Sequence, residues 1–169
     1  MSEALWAPWR MQYIRGIPAE ESQTGSFLAD YWQSPDKDAE HLVLHRSALS
    51  MILLNRYPYT NGHLLVAPGE PIADLPQLSM EQRTDLMDKT TLAERLLQAA
   101  MNPQGINIGI NIGRCAGAGL PGHLHVHVVP RWSGDVNFMT VVGQVRVVPQ
   151  ALEEVYEELS NALPKLVAG

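Results

Sequence analysis

The chain is short of cysteine, of positive charge and of uninterrupted apolar sequence, and each shortage removes a class of protein. One cysteine, Cys115, among 169 residues excludes an intrachain disulfide framework and any cysteine-rich zinc site. Lysine and arginine total 12 against 18 aspartates and glutamates, a formal net charge of −6. No basic stripe is present to neutralise a phosphate backbone, so no nucleic-acid polymer is expected as partner. A small anion remains compatible, because a few local donors can override net charge. No run approaches the roughly 20 apolar residues of a membrane span. The N-terminal stretch carries Trp6, Trp9, Arg10 and Arg15 without an apolar segment of the signal-peptide kind. A cytoplasmic protein with no membrane partner is the expectation. Internal repeats and low-complexity tracts are also absent.

What is present reads as one domain over residues 1–169, with 46% hydrophobic residues to build a full core. Residues 1–25 form an N-terminal arm with aromatic anchors, 26–148 hold the sheet and first helix, and 149–169 hold a C-terminal helix and tail. Strands are expected at His41–His45, Ser50–Leu54 and His63–Pro68, with the Pro-, Asn- and Gly-rich Asn55–Gly62 as a connecting turn. Ser79 and Gln82 have capping-box spacing, and Leu86, Thr90, Ala93, Leu97 and Ala100 follow a helical stripe that Asn102-Pro103 ends. Residues 105–112 (GINIGINI) alternate as a strand, and Gly109 marks a close backbone approach. His123–Val129 and Met139–Val148 read as further strands, and Leu152, Val155, Tyr156, Leu159 and Leu163 as a second amphipathic helix. Strands in consecutive runs with two main helices predict an α+β fold with an antiparallel sheet.

Half of the chain's six histidines fall in His123-Leu124-His125-Val126-His127. On a strand, side chains alternate faces, so all three imidazoles leave one face and Leu124 and Val126 the other. Crowding three titratable rings carries a desolvation cost that packing alone does not justify. The face is therefore read as chemical. Same-face neighbours lie about 6.8 Å apart along a strand, which lets the middle ring, His125, and its flanking rings address one phosphate. A neutral imidazole is a competent nucleophile at phosphorus. Its neighbours can orient it or donate to phosphate oxygens. Just upstream, Gly113–Gly122 is a Gly-rich turn, in which the backbone of Gly117, Ala118 and Gly119 is positioned to cradle an anion. Metal binding is the rival reading. Three histidines on one straight strand span about 14 Å, too wide for one ion with metal–nitrogen bonds near 2 Å, so no metal site is expected.

His123-Leu124-His125-Val126-His127-Val128-Val129 resembles the signature of the histidine triad (HIT) superfamily of nucleotide hydrolases and transferases. The resemblance extends through Asn55-Arg56-Tyr57-Pro58, Asn61–Pro68 and Asn107–Gly113, covering roughly residues 40 to 132. It implies a five-stranded antiparallel sheet with two main helices, and a homodimer that joins two sheets into one. It also implies attack on an α-phosphorus by the middle histidine, His125, through a covalent nucleotidyl-histidine. His123 and His127 would orient it or bind phosphate, and His63 would support the triad. Asn55 would bind ribose, Leu53 and Leu65 would line a base pocket, and Asn111 would reach the phosphates. Where some members carry a Cys-x-x-Cys zinc pair, this chain reads Gly25-Ser26-Phe27-Leu28, so no structural zinc is implied.

The opening Leu-Trp-Ala-Pro-Trp-Arg, the Ala-Gly-Ala-Gly turn and residues 130–139 are most similar to bacterial members grouped with diadenosine tetraphosphate hydrolases and phosphorylases. The expected activity is cleavage of dinucleoside polyphosphates, diadenosine tetra- or triphosphate, through an AMP-histidine. The alternatives are a phosphate-dependent phosphorylase (ATP adenylyltransferase), an AMP phosphoramidase, or a non-catalytic nucleotide-binding module. No tightly bound cofactor is implied. Mg2+ is expected only as a counter-ion of the polyphosphate, and the partners are a nucleotide or dinucleotide and a second copy of the chain.

Overall fold

A computed structural model describes residues 25–135 and 150–167. The arm through residue 24 and the strand expected at Met139–Val148 lie outside the described residues. The apolar runs 50–54 and 64–68 become adjacent strands whose every residue is buried. Burial on both sides follows from layers packed on both faces of the sheet. The five strands are β1 (Val43–Arg46), β2 (Ser50–Leu54), β3 (Leu64–Pro68), β4 (Gly105–Ile110) and β5 (Val126–Arg131). They form one antiparallel sheet in the order β1-β2-β3-β5-β4, as the strand pattern predicted.

Five helical segments of α type flank it among the described residues: α1 (Phe27–Gln33), α2 (Asp38–His41), α3 (Met80–Met101), α4 (Leu152–Ala162) and α5 (Pro164–Val167). The capping box of α3 forms as its sequence predicts. Ser79 Oγ accepts from the Gln82 N–H at 3.1 Å, and the Gln82 side chain accepts from the Ser79 N–H at 2.8 Å. The helix stops at Asn102, which takes a left-handed φ of 45° ahead of Pro103.

One face of the sheet, with Ile52, Leu54, Leu64, Val66, Val126 and Val128, packs on Leu86, Ala93, Leu96 and Leu97 of α3 and on Val155 and Leu159 of α4. Burying each such leucine contributes roughly 1.5–3 kcal/mol, more than helix propensity supplies over the same residues. The other face holds Val43, Met51, Leu53, Leu65 and Ala67 beneath Leu28 of α1. Chain passage here is tight, since a Cβ at Gly69 would lie 2.2 Å from the Trp32 ring.

Three expectations change. β1 starts at Val43, because His41 closes α2 and Leu42 caps it at a left-handed φ of 59°. No element was expected over 26–32, yet Ser26 caps a seven-residue helix there. The strand expected over His123–Val129 enters the ladder only at Val126, so His123 and His125 precede it. The last β3–β5 rung is Val66↔Val126. Two residues further along β3, Pro68 has no N–H with which to extend a ladder. The Leu124 N–H instead donates to the Ile72 carbonyl at 2.7 Å.

Candidate active site

The alternation of faces survives that correction. Leu124, Val126 and Val128 enter the core under α3, while the three histidines leave toward the opposite side. The register aligns Val43, Leu53, Leu65, His127 and Gly109 across the sheet, which sets the apolar row directly beside the site. A Cβ at Gly109 would meet nothing within 4 Å, so the glycine leaves open space beside His127.

Hydrogen bonds assign a proton position to each ring. The His125 Nδ1–H donates to the His123 carbonyl at 2.9 Å, since a carbonyl can only accept. Its Nε2 therefore keeps a free lone pair, on a ring that is 7% exposed. His63 is buried, and its Nδ1 accepts from the Tyr59 N–H at 3.1 Å and is approached by Asn55 Nδ2 at 3.2 Å. Its proton lies on Nε2, which donates to His127 Nδ1 at 3.0 Å. His127 is then protonated on Nε2. That atom lies 3.5 Å from Asn111 Nδ2, so two donors address the same space, an arrangement that an anionic oxygen between them satisfies. Tyr59 braces the pair, its ring centroid 4.5 Å from that of His63 and 5.5 Å from that of His127.

Burial lowers the pKa of His123, His125 and His127 below the ordinary histidine value. For His127 the neighbouring His125 adds to the effect, and the value falls to about 4. At neutral pH the rings are uncharged, the form in which His125 Nε2 is nucleophilic.

Other expected site residues sit less simply. His123 is 0% exposed. Its Nε2–H donates to the Pro68 carbonyl at 2.8 Å and its Nδ1 meets Ser26 Oγ at 2.6 Å, so it has no surface to offer a phosphate. Leu53 and Leu65 are buried in the core layer under α1. The Asn55 side chain is shared between His63 and the Tyr57 N–H, which its Oδ1 accepts at 3.0 Å. In the Gly-rich turn, the N–H groups of Gly117 and Ala118 donate to the carbonyls of Arg114 and Gly113, so these two close the loop on itself. Ser26 and Tyr59 were not expected at the site. Neither carried a sequence signal, since the helix that Ser26 caps was itself not expected.

A sheet of this order, carrying three alternating histidines and a fourth that sets the proton of the last of them, defines a histidine triad protein. The HIT domain family model matches residues 36–134, and the chain belongs to that family. It is 39% identical over 155 residues to the AP-4-A phosphorylase of Mycobacterium tuberculosis, spanning 90% of this chain and 80% of that protein. It is 33% identical over 93 residues to the asymmetrical bis(5'-nucleosyl)-tetraphosphatase of Schizosaccharomyces pombe, covering 55% and 50% of the two chains. The crystal structure of a Zn-bound histidine triad family protein from Mycobacterium smegmatis superposes with a TM-score of 0.67 at 28% identity, over 85% of this chain and 99% of that one. Among the described residues no group of three His, Cys, Asp or Glu side chains is placed to hold such an ion, and both nitrogens of His123 are engaged by protein groups.

Proposed function

We propose that this chain cleaves dinucleoside polyphosphates at an α-phosphate, with His125 as the nucleophile. The observation that carries this reading is the His125 Nδ1–H bond to the His123 carbonyl at 2.9 Å, which holds a neutral ring with its Nε2 lone pair free. That pair attacks the α-phosphorus and forms a P–N bond. The P–O bond to the remaining phosphates breaks, and the leaving oxygen takes the electron pair. The His127 Nε2–H and Asn111 amide donate to non-bridging oxygens, where charge builds up in the transition state. A second acceptor oxygen then attacks the phosphorus, the P–N bond breaks, and its pair returns to Nε2. Asn55, at the end of β2, is assigned to the ribose, and Mg2+ accompanies the substrate as counter-ion.

Water and inorganic phosphate are the two acceptors to weigh. The mycobacterial relative is named a phosphorylase and aligns over 90% of this chain, which favours phosphate. Product analysis with diadenosine tetraphosphate decides. ADP plus ATP formed only with phosphate present is the expected result. AMP plus ATP without it assigns hydrolysis, and no product under either condition overturns the reading.

The lowered histidine pKa values set a pH dependence. The acid limb of kcat/KM is expected to be centred below pH 6.5, the ordinary histidine value. A limb centred at or above 6.5 contradicts the assignment. Stability follows the same sign. The unfolded chain takes up these protons near pH 6.5 and the folded chain only lower, so stability is full above 6.5 and is lost as pH falls toward 4.

The assembly is proposed to be a homodimer paired through β4. This strand ends the described sheet, and it presents Ile108, 47% exposed, beside an unpaired backbone edge. Light scattering is expected to give twice the chain mass, and a lysine at Ile108 is expected to shift it toward the monomer. A wild-type monomer at micromolar concentration rejects this arrangement.

A further inference from the structure

Hydrogen bonds through His123 join the start of α1 to the nucleophile. Ser26 Oγ lies 2.6 Å from His123 Nδ1. The His123 Nε2–H donates to the Pro68 carbonyl at 2.8 Å, which leaves Nδ1 as an acceptor, so the Ser26 hydroxyl donates its proton to it. The His123 backbone carbonyl in turn holds the His125 Nδ1–H. Ser26 is also the N-cap of α1, where its Oγ accepts from the Ala29 N–H at 3.3 Å. One hydroxyl therefore uses its donor on the triad and its acceptor on the helix.

The link matters because His123 and His125 precede the β5 ladder. The backbone carbonyl that selects the tautomer of His125 is not held by strand pairing. Its peptide is tied on one side by the Leu124 N–H, which donates to the Ile72 carbonyl at 2.7 Å, and on the other by the His123 ring, fixed at one nitrogen by β3 and at the other by Ser26. Nothing else among the described residues meets that second nitrogen. With the Ser26 hydroxyl gone, Nδ1 becomes a buried acceptor without a donor, a state that is costly enough to move the ring or change its tautomer.

We propose that Ser26 is a positioning residue for the nucleophile, acting through His123 to keep the His125 proton on Nδ1 and the Nε2 lone pair facing substrate. The proposal rests on His125 being the nucleophile. Ser26 touches no reacting atom and is not a catalytic residue.

Its two functions can be separated because glycine is nearly as good an N-cap as serine, whereas alanine is poor. Ser26→Gly keeps the helix start and removes the donor. Ser26→Ala removes both, and Ser26→Thr keeps both. Expected is a fall in kcat of about tenfold in both Ser26→Gly and Ser26→Ala with KM little changed, although Ser26→Ala, which also loses the cap, loses more thermal stability than Ser26→Gly. Ser26→Thr should restore the rate. In parallel, 15N correlation spectra of the histidine rings should show His125 in the Nδ1–H form in wild type and a mixture of tautomers in Ser26→Gly. A wild-type kcat in Ser26→Gly, or a rate loss that tracks stability alone, overturns the proposal. So does an unchanged His125 tautomer in Ser26→Gly. The spectra need no substrate. If wild type turned over no dinucleotide, the proposed reaction would fall while the tautomer measurement would still decide the role of Ser26.

Discussion

His125→Ala is expected to abolish turnover, by a factor on the order of 10^4 or more, while AMP affinity stays within about tenfold. The asymmetry follows from the geometry. The ring is 7% exposed, so it presents little more than its Nε2 edge to a ligand and contributes little binding surface. A tenfold change in affinity corresponds to about 1.4 kcal/mol. Without the ring no other group among the described residues is placed to form the P–N bond. His127 offers an N–H toward the same space, and His123 is fully buried with both nitrogens engaged. Truncation also leaves the His123 carbonyl without its donor, so folding is to be checked by thermal melting beside the kinetics. Acid-quenched wild-type enzyme should carry the nucleotidyl group on the peptide containing His125. A variant that retains more than a tenth of the wild-type rate removes His125 from the nucleophile's role, as does label on another side chain.

His63→Phe is expected to cost about 100-fold in kcat and about 1–3 kcal/mol in stability. Phenylalanine keeps a ring in the buried space but removes the Nε2–H that fixes His127 at 3.0 Å. His127 can then carry its proton on Nδ1 and turn a lone pair, rather than a donor, toward the substrate. A lone pair facing a phosphate oxygen repels where the N–H attracted. Wrong tautomers of this kind are costly in other histidine-dependent enzymes. The stability loss comes from the Tyr59 N–H and the Asn55 amide, both left without the nitrogen they address. Steady-state kinetics and denaturant unfolding measure the two effects separately. A kcat within threefold of wild type means that the His127 tautomer is set by something other than His63.

Parts of this structure are readable from a few neighbouring residues. The α3 capping box depends on Ser79 and Gln82 alone. The placing of Leu124, Val126 and Val128 in the core under α3, and of the three histidines outside it, follows from a two-residue period that any extended chain has, whether or not it is paired. That is why the facing pattern held although the ladder begins only at Val126. The loop carrying Gly117 and Ala118 shows the limit. Its glycines announce a turn, but composition does not say whether the N–H groups point out at a ligand or inward at Gly113 and Arg114.

By itself the sequence determined the antiparallel sheet, the long capped helix and the grouping of histidines around one face, because periodicity and capping act over a few residues. Only the tertiary structure decided where the protons of His63, His123 and His127 sit, whereas that of His125 is set two residues away, at the His123 carbonyl. Ser26 is 97 positions from His123, His63 is 64 from His127, and Pro68 is 55 from His123. For those three rings the tautomer is set by whatever donor or acceptor folding brings beside each nitrogen, and no local pattern of residues encodes that partner.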